Sequence, residues 1–193
     1  MGCLVAAERR NIIAWGGSPR NANAQSPDSR GAATPQVGTM PSAYTSLTYH
    51  IVFSTKYHKP RLTDAIRAET YSYIGGIIAN KRGQAIEIGG VADHIHIVTS
   101  CSPAVALADF IRDIKANSSK WLREEKDQRD FGWQVGYGAF TVSCSQADTV
   151  RRYVRNQAEH HRTRSFEEEF RAMLKRHGIS FDEKYLFEAE YHG

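Results

Sequence analysis

The chain is poor in cysteine. Its three, Cys3, Cys101 and Cys144, are widely spaced, odd in number and form no Cys-x-x-Cys pair. That argues against a disulfide frame or a cysteine zinc cluster and suits reduced thiols in a cytosolic protein. Also missing is any apolar run approaching the roughly 20 residues that span a bilayer. The opening MGCLVAAERR meets charge too soon for a secretory signal, and Ala6 breaks the myristoylation pattern. The expectation is a cytoplasmic protein with no membrane partner. A strong excess of one charge is lacking too: 25 Lys and Arg stand against 21 Asp and Glu, for a net charge of +4. With a sequence pI of about 9.0, that balance suits a polyanionic partner without demanding one.

What is present divides into two parts. Residues 1–40 contain GGSPRNANAQSPDSRGAATPQVGT, rich in Gly, Ser, Pro, Asn and Ala and without hydrophobic periodicity. Such a stretch buries too little apolar surface to offset its ordering entropy, so it is expected to be a disordered N-terminal extension. Met40 opens the patterned sequence and is a candidate start of the reading frame, leaving one domain over 41–193. No internal repeat is found.

From Met40 onward strands and helices alternate. TSLTYHIVFST (45–55) sets Leu47, Tyr49, Ile51 and Phe53 on one face and Thr48, His50, Val52 and Ser54 on the other. Thr63 is a candidate cap for a helix to about Asn80, and QAIEIGG (84–90) reads as a strand ending in a Gly-Gly bulge or turn. VADHIHIVTS follows as a strand. Ser102-Pro103 then reads as the start of a helix striped by Leu107, Ile111, Ile114, Trp121 and Leu122. FGWQVGYGAFTVS (131–143) is β-prone. Ser145 with Asp148 predicts a capping box for a helix over about 146–162, and Ser165 with Glu168 predicts another that stops near Gly178. The order β-α-β-β-α-β followed by helices predicts an α+β, ferredoxin-like (split βαβ) antiparallel sheet. Two helices cover one face, and the other is left for function or for the C-terminal helices.

Strand side chains alternate, so His94 and His96 project from one face while Ile95 and Ile97 enter the core. Imidazole is the commonest protein metal ligand, and a His-x-His pair can take two adjacent positions on one ion; hydrogen-bonded surface or interface histidines are the alternative. In RRYVRNQAEHH (151–161), Tyr153 and Gln157 lie one helical turn apart, beside an apolar stripe of Val150, Val154 and Ala158.

Taken together, HIVFSTK (50–56), DHIHIV (93–98), IKANSSKW (114–121), GYGAFTVS (136–143), YVRNQAEHH (153–161) and SFEEEF (165–170) resemble the HUH-type single-tyrosine transposases of the insertion-sequence 200/605 superfamily. The resemblance runs from about Tyr44 to the C-terminus. It implies that His94 and His96 are the metal-binding pair, that Gln157 is the third metal ligand, and that Tyr153, carried on the C-terminal helices, is the nucleophile. It further implies a Mg²⁺ or Mn²⁺ cofactor, a 5′-phosphotyrosine intermediate, single-stranded or hairpin DNA at element ends, and a homodimer working at the nucleoid. Arg151, Arg152, Arg155, Lys115, Lys120, His160 and His161 are candidate DNA contacts. Three rival readings are a rolling-circle replication initiator or relaxase, an inactive or domesticated hairpin-binding protein, and an unrelated metal-dependent hydrolase. The last requires a carboxylate near the histidines; only Asp93 adjoins them in sequence, and strand alternation assigns it to the opposite face.

Overall fold

A computed structural model describes residues 44–187; the expected disordered extension over 1–40 lies outside the described residues. Four strands, β1 (Thr48–Ser54), β2 (Gln84–Gly90), β3 (His94–Ser100) and β4 (Gly138–Thr141), form a sheet in the order β2-β3-β1-β4. Every neighbouring pair is antiparallel. Helix α1 (Asp64–Asn80) links β1 to β2, and α2 (Leu107–Glu125) links β3 to β4. This is the split-βαβ, ferredoxin-like α+β arrangement expected from the sequence. Four further helices follow: α3 (Ala147–Arg155), α4 (Gln157–His160), α5 (Phe166–Arg176) and α6 (Glu183–Leu186).

Period-two alternation divides the sheet into two chemically different faces. The register pairs Ile51 with Ile97 and Phe53 with Ile95, and residues directly opposite share a face. These four side chains pack with Ile74 and Ile78 of α1 and Phe110, Ile111, Ile114 and Leu122 of α2, all fully buried. At roughly 1.5–3 kcal/mol for each large apolar side chain taken from water, this core is the main source of stability. Trp133 closes it, its indole N–H donating to Ser118 Oγ at 2.9 Å.

The other face carries His50, Val52 and Ser54 opposite Val98, His96 and His94. A smaller apolar cluster of Val52, Phe140, Phe166, Phe170 and Leu174 fastens α5 to it. Helix α5 begins as the sequence predicts: Ser165 Oγ accepts from the Glu168 amide, and Glu168 accepts in return from the Ser165 amide. It ends at Gly178, whose φ of 65° permits the αL turn.

Four local expectations are corrected. No side-chain cap forms at Ser145; a 3₁₀ turn over Cys144–Gln146 leads into α3 instead, and Ser145 Oγ pairs with Ser143 Oγ. The second long helix starts at Leu107, not beside Ser102, which makes a local turn to the Ala104 amide. Of 131–143 only Gly138–Thr141 is a continuous strand; before it, Phe131 and Trp133 turn into the core and the backbone keeps a single antiparallel bridge, Trp133 to Thr55. The β2 irregularity falls at Ala85/Glu87, while Gly89 and Gly90 stay paired.

The glycine at position 89 has a steric purpose. It pairs with His96, and a Cβ there would stand 2.1 Å from the Val154 carbonyl oxygen of α3. Gly89→Ala should therefore push α3 off the sheet. The expected loss is about 1–3 kcal/mol in urea unfolding; an unchanged midpoint would contradict this close backbone approach.

Candidate active site

Strand β3 carries both histidine rings to the face away from α1 and α2, and both are fully buried. His94 Nδ1 lies 2.7 Å from Asp93 Oδ1, an arrangement that places the ring proton on Nδ1 and leaves Nε2 a free lone pair. Asp93 precedes the strand, so alternation does not govern it, and its assignment to the opposite face is corrected. His96 Nδ1 is 2.9 Å from His50 Nε2 on β1, so His96 also turns Nε2 into the site. Burial lowers the pKa of His50 to about 3 and that of His96 to about 4, with the mutual proximity of histidines adding to the effect. Both rings are neutral near pH 7, the form that can ligate a cation.

The centre of the site is Glu169, which the sequence reading missed. This carboxylate is 1% exposed. Its Oε2 stands 3.2 Å from His96 Nε2, 3.7 Å from His94 Nε2 and 3.1 Å from His161 Nε2. Its Oε1 accepts from the Tyr153 hydroxyl and, at 3.2 Å, from Gln157 Nε2. Burial alone would raise the Glu169 pKa, but His161, His96 and Tyr153 together hold it far below the usual carboxylate range. A signal for it existed: Phe166, Glu169 and Phe170 stand at i, i+3 and i+4, so an inward-facing α5 carries Glu169 in with the phenylalanines.

Tyr153 and Gln157 both reach this carboxylate, although not from one continuous helix. The chain breaks at Asn156 (φ −98°, ψ 22°), ending α3 and starting α4. Gln157 is buried, and its Oε1 has no hydrogen-bond partner. Burial, reinforced by the charge of Glu169, raises the Tyr153 pKa above its ordinary 10. His161 Nδ1 lies 2.7 Å from the Arg164 carbonyl. Burial would lower the His161 pKa, but the bond to Glu169 raises it on balance. His160 is half-buried, 5.1 Å from the Tyr153 ring centroid, with Nε2 3.8 Å from Glu169 Oε1. Tyr153, His94 and His96 thus meet within a single chain.

The remaining candidates lie away from this centre. Arg155 pairs with Glu87 at 2.7 Å, while Arg151 faces Glu87 at 4.0 Å and Asp148 at 3.4 Å. Arg152 is exposed. Lys115 donates to the carbonyls of Val135 and Gly136, and Lys120 is exposed. Both lysines sit on α2, across the sheet from the histidines.

The donor set fits a divalent cation. His94, His96, His161 and Glu169 each offer a ligand atom, all within 4.8 Å of one another. Atoms about 2.1 Å from a shared ion stand within roughly 4.2 Å of each other, so a small contraction suffices. The Nε2 atoms of His94 and His96 are buried without an aligned hydrogen bond, the condition expected of ligands. Gln157 Oε1 is a further buried oxygen without a partner. The carboxylate required by the hydrolase reading is therefore present; what sets this site apart is the tyrosine bonded to it.

A ferredoxin-like sheet with a His-x-His strand facing a helix-borne tyrosine agrees with the class of HUH tyrosine enzymes that the sequence resembles. Residues 43–157, more than half of the chain, match the family described as "Transposase IS200 like". The chain belongs to this family of DNA transposases. It is 24% identical over 117 residues to the ISDra2 transposase TnpA of Deinococcus radiodurans, covering 58% of this chain and 84% of that protein. It is 28% identical over 117 residues to the transposase for insertion sequence element IS200 of Salmonella typhimurium, covering 58% and 76% respectively. A crystal structure of a Deinococcus radiodurans R1 chain assigned as a transposase shares the fold, with a TM-score of 0.50 and 20% identity over 60% of this chain and 94% of that one. Among the described residues no helix is long and apolar enough to cross a membrane.

The buried rings make stability depend on pH. Because the folded pKa values of His50 and His96 are depressed, their contribution is fully present above the ordinary value of 6.5. It is lost as pH falls from there toward about 4 and 3. Urea unfolding of the metal-free chain should show stability falling across this window. In His50→Gln the slope should be shallower by about 1.4 kcal/mol per pH unit, the worth of one proton. A slope equal to the parent's would mean that His50 does not stay neutral in the fold.

Proposed function

We propose that the protein cleaves and rejoins single DNA strands by transesterification, with Tyr153 as nucleophile and a divalent cation held by His94, His96, Glu169 and Gln157. One observation carries this reading: the Tyr153 hydroxyl is bonded to the same buried carboxylate that faces the Nε2 atoms of both strand histidines. Family membership supplies the reaction class. The share of imidazole among the donors favours Mn²⁺ over Mg²⁺, which prefers oxygen. When bound, such a cation supplies Lewis acidity to a phosphoryl oxygen and offsets the charge developing on it.

The chain's own residues do the rest. Tyr153 Oη attacks phosphorus, forming a 5′-phosphotyrosine bond as its proton passes to Glu169, to which it is bonded. The bond to the 3′ oxygen breaks, and that oxygen takes up one proton in exchange and leaves as a hydroxyl. The tyrosyl ester keeps the energy of the broken strand, so a 3′-hydroxyl can later attack it and restore a phosphodiester without a nucleotide cofactor. Asp93 and His50 hold the tautomers that leave both Nε2 atoms free. His161 anchors Glu169, and Glu169 aims the tyrosine. Attack requires an exposed backbone, so the substrate is single-stranded DNA or a hairpin end. A homodimer and work at the nucleoid complete this reading, by resemblance to the family.

Incubating the full chain with single-stranded hairpin ends and Mn²⁺ should give a covalent protein–DNA adduct that Tyr153→Phe abolishes. An adduct surviving that change would overturn the nucleophile assignment. In titration calorimetry of DNA-free protein, His94→Ala and Glu169→Gln should each weaken Mn²⁺ binding by at least roughly 10–100-fold, the cost of losing even a residue that only orients a ligand. Parent-like affinity in Glu169→Gln would remove the carboxylate from the ligand set.

A further inference from the structure

Beside the nucleophile lies a cavity of about 440 Å³, within the roughly 300–1,000 Å³ of small-molecule sites. Tyr153, Glu169 and His50 line it, so it opens directly onto the reacting hydroxyl. The far flank of the cluster is closed: the His94 ring is covered by Phe166 and His161, with centroids 4.6 and 4.4 Å away. A strand whose phosphate sits at Tyr153 therefore has this cavity to enter.

The lining is suited to an unpaired nucleotide. Phe140 and His177 stack with centroids 4.5 Å apart and planes 26° apart; Phe140 is buried and His177 is exposed. Val150 of α3 and Met173 of α5 add apolar surface to the lining. Arg164 and Arg176 also line the cavity, and among the described residues neither has a carboxylate partner. By contrast, Arg151, Arg155, Arg162 and Arg171 all pair with Asp or Glu. An aromatic platform flanked by uncommitted guanidinium groups matches the combination that binds single-stranded nucleic acid.

We propose that this cavity is a subsite for the unpaired nucleotide adjoining the scissile phosphate, its base lodged against the Phe140–His177 pair and its backbone held by Arg164 and Arg176. The assignment rests on the strand-cleaving reading above. The probe is a thymidine heptanucleotide with one central 2-aminopurine, alongside the same oligonucleotide with an abasic centre, each titrated into the full chain. The parent should quench 2-aminopurine emission. His177→Ala and the cavity-filling Met173→Trp should lose that quenching and bind roughly ten-fold more weakly, while the abasic probe should hardly distinguish them from the parent. Arg176→Ala should weaken both probes alike. Parent-like quenching and affinity in both His177→Ala and Met173→Trp would overturn the subsite, even where a Tyr153-dependent adduct forms. Quenching lost as expected, with no adduct on any DNA, would support nucleotide binding in the cavity and overturn strand cleavage.

Discussion

The site depends on one carboxylate held out of water. Burying Glu169 would be prohibitive without compensation, and the compensation is the site itself. Two imidazoles from β3, a third from His161, the Tyr153 hydroxyl and the Gln157 amide converge on its two oxygens. The capping box of α5 and the phenylalanines on either side of Glu169 place the carboxylate there before any cation or DNA arrives. The negative charge also changes the electrostatics: a cation ligated only by histidines and a glutamine would keep its full charge, whereas this one would share its field with an anion.

The sheet acts as a partition between stability and chemistry. On one side, isoleucines and phenylalanines pack under α1 and α2 with almost no polar content; on the other, His50, His94 and His96 stand in a row beside a smaller apolar cluster. Because alternation is strict, the same two strands serve both sides. A one-residue slip of β3 would exchange isoleucines for histidines and destroy both at once.

How much of this was legible in the sequence follows from how local each cause is. The strand histidines were legible because period two is a property of the strand alone. The split βαβ order was legible because hydrophobic periodicity marked each element. Glu169 was hidden within three consecutive glutamates; its helical spacing with Phe166 and Phe170 singles out the third, but only once α5 is known to turn that face inward. His50 was correctly assigned to the polar face of β1, yet its pairing with His96 needs the register between strands. The break at Asn156 carries no proline or glycine to announce it; α3 is fixed by β2 while Gln157 is drawn to Glu169, and the helix yields between them. The family match ends at Gln157, so the residues that complete the cluster, His161 and Glu169, lie beyond it.

The contact of Gly89 with the Val154 carbonyl sets the reach of the tyrosine by main-chain atoms on both sides. Side-chain contacts loosen or tighten with every exchange of a methyl group; a glycine against a carbonyl has nothing to exchange. For protein engineering, this separates two sets of positions: the outward residues of α3 are open to redesign for new DNA, and the glycine beneath it is the hinge-pin to leave alone.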